Sequence, residues 1–224
     1  MTTIYSQFLK EGSIAFDIGA YAGSRTDIFL SLGCSRVVTV EPVAEYADRL
    51  VKKYENDKRV IVVSAAAGPE NGLGSLKIHR QEADSALSTM SQEWIASVND
   101  HPEWGLLATD WSESRMVPIV TLDSLIEKYG EPDFIKIDVE GWEQEVIKGL
   151  TRPIKALSFE FHTELHMDWT ERVAEYLLSL APYEFNYDLR DSLELVNTEW
   201  IGKSTLFDVL RGKGEYGDIF ARRV

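Results

Sequence analysis

The sequence predicts an α/β protein with a Rossmann-like, doubly wound, mostly parallel sheet, and three observations support this. Short apolar runs of strand length alternate with segments whose apolar residues recur at helical spacing. The first run leads into a glycine-rich turn, and the second run ends in an acidic residue. Such alternation favours a mostly parallel sheet covered by helices on both faces. The length of 224 residues suits a single domain over residues 1–224.

The first strand and its turn lie within residues 14–23, Ile-Ala-Phe-Asp-Ile-Gly-Ala-Tyr-Ala-Gly, and a helix is predicted to begin near Ser24. Gly19 and Gly23 form a G-x-x-x-G pattern, which differs from the G-x-G-x-x-G of dinucleotide enzymes. Gly19 would let the backbone approach a ligand, and Gly23 would let the helix pack on the first strand. Asp17 would repel a pyrophosphate at this turn. A cationic or zwitterionic nucleoside such as S-adenosylmethionine therefore fits better.

The second strand is predicted at residues 37–41 and ends in Glu41, which lies 22 residues after Gly19 and is followed by Pro42. An acid at this place can accept hydrogen bonds from two ribose hydroxyls. Two alternatives remain open at this point. The chain could be a NAD-type nucleotide-binding enzyme, or the glycine turn could be only a tight connection.

The other strands of the sheet are predicted at residues 60–64, 134–138, 156–161, 183–187 and 218–222, with the last one antiparallel. Helices are predicted where apolar residues share one side, at residues 47–54, 122–129 and 169–180. Thr121 is a candidate N-cap for the second of these helices, and Gly130 with Pro132 would end it.

Two small residues, Ala65 and Ala66, follow the third strand. Small side chains there would let the backbone reach the edge of an adenine base. The alternative is that these alanines only permit close packing.

Residues 69–116 interrupt the regular alternation and hold one more predicted strand at residues 74–79. Connections in α/β units are usually about 2–6 residues long, so an insertion of this size is typical of a lid or a binding element. We expect residues 80–116 to form a lid over the acceptor, although the tryptophans could instead anchor a static accessory layer. The lid residues expected to contact the acceptor are Ser85, Ser88 and Trp94.

Composition excludes several function classes. Twenty-three basic and 37 acidic residues give a net charge of −14, which argues against a nucleic-acid partner, despite a small basic cluster of Arg211, Lys213, Arg222 and Arg223. The single cysteine, Cys34, excludes an internal disulfide and a cysteine-based metal site, and is expected in the core. No apolar run suggests a membrane span or a signal peptide, so we expect a soluble, cytoplasmic protein. The oligomeric state stays open.

Two segments of the second half carry a family resemblance. Residues 121–125 read Thr-Leu-Asp-Ser-Leu, and residues 134–143 read Phe-Ile-Lys-Ile-Asp-Val-Glu-Gly-Trp-Glu. This pair resembles the signature of the FkbM family of S-adenosylmethionine-dependent methyltransferases. The resemblance implies a seven-stranded methyltransferase fold and methylation of a hydroxyl on a sugar or natural product. The family commonly has Asn at the position of Tyr21, which leaves open how the methionine end of the cofactor is held.

Alternation along the fourth strand places Lys136 and Asp138 on the same side. A lysine buried in an apolar strand needs an anion, and Asp138, Glu140 and Glu160 are the candidates. Ligands of open α/β sheets bind at the carboxyl ends of the strands. Because Asp17, Glu41, Asp138 and Glu160 each close a predicted strand, we expect all four to line one crevice. The residues expected to bind S-adenosylmethionine are Asp17, Gly19, Tyr21, Gly23, Glu41, Pro42, Ala65, Ala66 and Asp138.

Methyl transfer to a hydroxyl needs a general base. Asp138 or Glu140 is the first choice, and His162 or His166 is the second. Glu160 and His166 are also expected to contact a small-molecule or glycan acceptor. Mg²⁺ bound by Asp138, Glu140 and Glu160 is an alternative, but no ligand spacing specifies it, so no metal site is predicted. N-methylation of a peptide or small-molecule amide is a further alternative.

Overall fold

The computed structural model of the chain describes residues 3–80, 86–100, 110–165, 167–212 and 214–224. These residues form ten strands: β1 (Ile14–Ile18), β2 (Arg36–Val40), β3 (Val60–Val63), β4 (Ala66–Ala67), β5 (Gly72–Arg80), β6 (Asp110–Val120), β7 (Phe134–Ile137), β8 (Ala156–His162), β9 (Tyr183–Tyr187) and β10 (Tyr216–Arg223). Their α-helices are α1 (Ser24–Ser31), α2 (Ala44–Lys53), α3 (Gln92–Asp100), α4 (Leu122–Tyr129), α5 (Glu143–Lys148), α6 (Met167–Leu180) and α7 (Lys203–Leu210). A short 3₁₀ helix (Ile4–Gln7) precedes β1.

The main sheet has seven strands in the order β3-β2-β1-β7-β8-β10-β9. Neighbouring strands from β3 to β8 run parallel, and β10 is antiparallel to both β8 and β9. The doubly wound fold, its seven strands and the antiparallel last strand are therefore confirmed. The chain reverses direction of winding between β1 and β7, and this is where ligands of such sheets bind.

Apolar side chains pack on both faces of the main sheet. On one face, Phe16 and Ile135 belong to a cluster that includes residues of α4, α5, α6 and α7. On the other face, Phe134, Phe220 and the fully buried Tyr5 pack around Phe29 of α1. Alternate residues of each strand thus bury opposite sides, as the continuous apolar runs predicted. Cys34 is part of this second cluster, as expected.

Helix α4 shows how local sequence sets the element boundaries. The side chain of Thr121 accepts a hydrogen bond from the Ser124 amide at 3.1 Å, which confirms the predicted N-cap. Gly130 ends the helix, and its N–H donates to the carbonyl of Ile126. Leu122, Leu125 and Ile126 are buried against the main sheet.

A second, three-stranded sheet has the order β4-β6-β5, with β5 and β6 antiparallel. In this region the sequence predicted only a strand at 74–79, and it placed Ala66 in the segment after the third strand. Strand β6 was not predicted, because its exposed residues alternate with partly or fully buried ones and many of them are polar. Leu76 and Val117 pack with Val43 at the start of α2, so this sheet rests on the main domain.

Three helices, α3, α5 and α7, were not predicted. Helix α5 has six residues, which is too short for a clear amphipathic stripe, and α3 lies in the region that the sequence assigned to a lid. Helix α5 begins at Glu143, the last residue of the motif at residues 134–143, and the Glu143 carboxylate accepts a hydrogen bond from the Val139 N–H at 3.0 Å in the segment between β7 and the helix.

Candidate functional site

A cavity opens at the carboxyl ends of β1, β2 and β7, and we call it the first cavity. Its lining includes most of the residues predicted to bind the cofactor: Asp17, Gly19, Tyr21, Glu41, Pro42, Ala65, Ala66 and Asp138. Ser88 and Glu140 line it as well. The residue after each strand end therefore faces one common space, as parallel strands require.

Gly19 brings two of these strand ends into contact. Its N–H donates to the carbonyl of Val40 at 3.0 Å, and its φ of +82° lies in the left-handed region. A Cβ added at Gly19 would overlap the carbonyl oxygen of Asp138. Only glycine allows this close approach of backbones, so the turn after β1 is fixed against the segment after β7.

Glu41 is held rigidly at the end of β2. One carboxylate oxygen accepts from the Tyr21 amide and the other from the Val43 amide, both at 2.8 Å. Burial raises the pKa of Glu41 to about 7, although these two hydrogen bonds lower it. Each oxygen keeps a further lone pair, so the carboxylate can still accept hydrogen bonds from a diol.

Asp17 is 1% exposed and lines the first cavity. Its Oδ2 accepts from the backbone N–H of Thr26 at 3.0 Å and from the Thr26 hydroxyl at 2.6 Å. Its Oδ1 is buried and has no hydrogen-bond partner among the described residues. Burial raises the pKa of this carboxyl, although the Thr26 hydrogen bond lowers it. The orphaned oxygen is an acceptor that a donor group of a bound cofactor can satisfy.

Tyr21 and Gly23 lie on different sides of the turn. Tyr21 has a φ of +46°, a left-handed conformation that Asn adopts more readily than Tyr. Gly23 is absent from the residues lining the first cavity, and a Cβ there would crowd Leu50 and Tyr54 of α2 and its C-terminus. Its small size therefore serves packing against α2, where the sequence suggested packing on β1.

Lys136 is 2% exposed in the middle of β7 and forms an ion pair with Asp138. Of the three acids considered from the sequence, Asp138 is thus the partner. Burial alone lowers the pKa of Lys136, but the charges of Asp138 and of buried Asp218 raise it well above its ordinary value. The ion pair keeps Lys136 charged and holds Asp138 at the edge of the first cavity.

A second cavity of about 550 Å³ lies beside the first. It is lined by residues of α3, the end of β8 and the start of β10: Leu87, Trp94, Val98, Glu140, Glu160, His162, Glu164, Gly214, Glu215 and Tyr216. Glu160 was expected in one crevice with Asp17, Glu41 and Asp138; its carboxylate lies within 4.8 Å of that of Asp138, but it lines the second cavity, which adjoins the first at Glu140. Glu160 lies two residues before the end of β8, and its side chain faces the second cavity instead.

Glu140 lines both cavities. Its φ of +55° is left-handed, and the Thr89 hydroxyl donates to its carbonyl oxygen at 2.7 Å. Burial, followed by the negative charges of Glu160 and Asp138, raises the pKa of Glu140 well above its ordinary value. A carboxyl with a raised pKa at the boundary of two cavities is suited to proton transfer.

His162 and Glu160 form a pair in the second cavity, with Nε2 and Oε1 3.2 Å apart. Burial lowers the pKa of His162, but the charge and hydrogen bond of Glu160 outweigh it and raise the pKa. The other two predicted site residues of this region, Ser85 and His166, lie outside the described residues. Trp94 is 4% exposed and packs edge-on against Trp111.

Carboxylate oxygens of Asp138, Glu140 and Glu160 lie within 4.8 Å of one another. This spacing could hold a divalent cation, and it is also the arrangement that raises the pKa of Glu140. The sequence singled out these three acids, and the structure brings them together.

Sequence reasoning missed several residues of the first cavity. Arg25 and Asp191 form an ion pair at its edge, and Trp142 lines it with an indole N–H that lacks a partner among the described residues. Thr89 and Met90 reach it from the segment before α3. Of these residues, only Trp142 could have been identified from the sequence, because it belongs to the motif at residues 134–143. The others depend on contacts between distant parts of the chain.

The sequence model of the family described as "Methyltransferase FkbM domain" matches residues 17–195, which is most of the chain. The chain belongs to the FkbM methyltransferase domain family. The family is one of S-adenosylmethionine-dependent methyltransferases, so this finding favours methyl transfer over the NAD alternative. A search of curated protein sequences gave no match.

Two solved structures resemble this FkbM domain in fold. Methyltransferase FkbM from Methylobacillus flagellatus KT aligns with a TM-score of 0.54 and 16% identity, over 95% of this chain and 44% of that one. The chain thus spans less than half the length of that protein. The precorrin-6y C5,15-methyltransferase from Geobacter metallireducens GS-15 aligns with a TM-score of 0.51 and 12% identity, over 99% of this chain and 85% of that one.

Other aligned structures include a putative rRNA-methylase from Clostridium thermocellum, with a TM-score of 0.48, 10% identity and coverage of 98% of this chain and 91% of that one. The expectation that nucleic acid is not the acceptor stays a prediction, which rests on the net charge of −14. Among the described residues, no helix is both long and apolar enough to cross a membrane.

Proposed function

We propose that this FkbM domain transfers a methyl group from S-adenosylmethionine to a hydroxyl of a small-molecule or glycan acceptor. The observation that carries the proposal is the position of Glu140, which lines both cavities. The first cavity would hold the cofactor, and the second would hold the acceptor. The reacting groups would then meet beside one titratable carboxyl.

The residues present in the first cavity suit this cofactor. Glu41 would accept hydrogen bonds from the ribose hydroxyls, and the unsatisfied Oδ1 of Asp17 would accept one from a donor of the methionine part. Ala65 and Ala66 leave room for the adenine edge. When bound, S-adenosylmethionine supplies an electrophilic methyl group, and the electron pair of its carbon–sulfur bond stays on sulfur.

Glu140 is the general base of this proposal. Its carboxylate would take the proton of the acceptor hydroxyl as the oxygen bonds to the methyl carbon. Asp138 is less suited to this role, because protonating it would leave the buried Lys136 without its anion. His162 is the alternative base, since its Nε2 is already oriented by Glu160.

Substitution of the three candidates separates their roles. We expect Glu140→Gln to lower kcat by about 10²–10⁴-fold, the usual effect of losing a general base, while affinity for S-adenosylhomocysteine stays within about twofold. His162→Asn is the comparison variant, and Asp138→Asn tests the ion pair. A Glu140→Gln protein with wild-type turnover would exclude Glu140 as the base.

The acceptor class can be tested with labelled cofactor. Methyl-labelled S-adenosylmethionine is incubated with a small-molecule and glycan extract of cells that lack this protein, with and without the purified chain. We expect a labelled methyl ether in the product, identified by its methyl resonance in NMR. A labelled N-methyl product would instead support the amide alternative.

A further inference from the structure

The charges lining the second cavity are almost all negative. Four carboxylates, those of Glu140, Glu160, Glu164 and Glu215, face one basic side chain, His162. His162 pairs with Glu160, and Glu215 pairs with Arg190 at 2.9 Å. Glu164 forms no ion pair among the described residues, and Glu140 forms none either. Within the part of the chain that the structure describes, two carboxylates of this cavity therefore have no cationic partner.

Aromatic side chains complete the same space. Tyr216 is 46% exposed, and its ring stacks on His162 with centroids 5.8 Å apart and planes at 20°. The face of such a ring attracts a cation. Trp94 lines the cavity while only 4% exposed, and its indole N–H is buried with no partner among the described residues. An oxygen of a bound molecule can accept a hydrogen bond from it.

We propose that the second cavity selects an acceptor that carries a protonated amine beside its hydroxyls, such as an amino sugar. This inference rests on the proposed function, because it assumes that the acceptor occupies this cavity. The ammonium would lie between the carboxylates of Glu140 and Glu164 and the Tyr216 ring. An oxygen of the acceptor would accept a hydrogen bond from the indole N–H of Trp94. The negative charges of Glu160 and Asp138 help to raise the pKa of Glu140, and this cation would offset their repulsion. The net charge of −14 would also attract a cation from solution.

Matched sugars test the proposal. We measure binding of glucose, 2-amino-2-deoxyglucose and 6-amino-6-deoxyglucose to the full chain saturated with S-adenosylhomocysteine, by calorimetry at neutral pH and low salt. At least one amino sugar should bind tenfold or more tightly than glucose, and the preference should shrink at high salt. If neither amino sugar binds threefold more tightly than glucose, the proposal is wrong.

Two substitutions test whether the preference for an amino sugar arises in the second cavity. Glu164→Gln should reduce the preference for the amino sugar by threefold or more, and Glu131→Gln, which removes an exposed carboxylate elsewhere, should leave it unchanged. Equal effects of the two variants would overturn the proposal, because the attraction would then come from overall charge. Sugar binding that appears only after Mg²⁺ is added would also overturn it, in favour of a metal site at Asp138, Glu140 and Glu160.

The saturating step separates this inference from the proposed function. If S-adenosylhomocysteine does not bind, the proposed function fails. If it binds and the amino sugars show no preference, only the inference about the acceptor fails.

Discussion

The two cavities are built in different ways, although they meet at Glu140. The first is formed largely by residues that directly follow strand ends, such as Gly19, Glu41 and Asp138, and backbone hydrogen bonds hold them. The second combines α3 with the end of β8 and the start of β10, which are far apart in sequence. The contrast indicates that the first cavity is fixed by the parallel core of the fold, while the second cavity depends on elements added to that core.

The strongest test of this contrast is Gly19→Ala, which should damage both cavities. The added Cβ would overlap the Asp138 carbonyl at a left-handed φ, so we expect a loss of about 3–5 kcal/mol in the free energy of unfolding. Gly12→Ala is the matched control, because it has a φ of +86° and no atom within 4 Å of an added Cβ. Gly12→Ala should lower the free energy of unfolding, measured by urea denaturation, by only about 1–2 kcal/mol. Equal costs would show that the contact between the two strand ends is not important.

Gly141→Ala should affect the second cavity alone. Its Cβ would meet the side chain of Trp94, which can shift more easily than backbone, so we expect a cost of about 2–3 kcal/mol. Turnover should fall while affinity for S-adenosylhomocysteine stays within about threefold. Calorimetry on the folded variant checks this, and a matching loss of cofactor affinity would contradict the independence of the two cavities.

Glu41→Gln should affect the first cavity alone. We expect binding of S-adenosylhomocysteine to weaken by about 1.5–3 kcal/mol, and exposed Glu55→Gln should change nothing. Because the ribose hydroxyls donate to the ionised carboxyl, and the pKa of Glu41 in the free protein is about 7, wild-type binding should tighten as pH rises towards 7 and level off above it. Calorimetry from pH 5.5 to 8.5 measures this. A slope that persists in Glu41→Gln would assign the titration to another group.

The smallest effect is expected at Thr121, which caps α4 and lines neither cavity. Thr121→Ala should lower the free energy of unfolding by about 1 kcal/mol, and Thr121→Ser should restore it. Cofactor affinity should be unchanged in both variants. A loss of affinity would mean that the framework and the first cavity are coupled more strongly than their geometry suggests.

The sequence predicted the first cavity well because its signals are local. Gly19 and Glu41 each directly follow an apolar run. Their positions at strand ends can therefore be predicted from the neighbouring residues alone. The second cavity was predicted only in part, since the pairing of His162 with Tyr216 between β8 and β10 is set by long-range sheet order. Strand β6 was missed for a related reason: half of it faces solvent, and its polar residues resemble a loop.

The antiparallel strand β10 follows β8 and β9 in sequence, yet it lies between them within the main sheet. During synthesis, β8 and β9 are therefore made before the strand that joins them. The second cavity lacks Tyr216 until that strand has left the ribosome and inserted. A chain still being translated could form the contacts around Gly19 and Glu41 but could not yet complete the second cavity. The second cavity is therefore complete only after synthesis has passed residue 216.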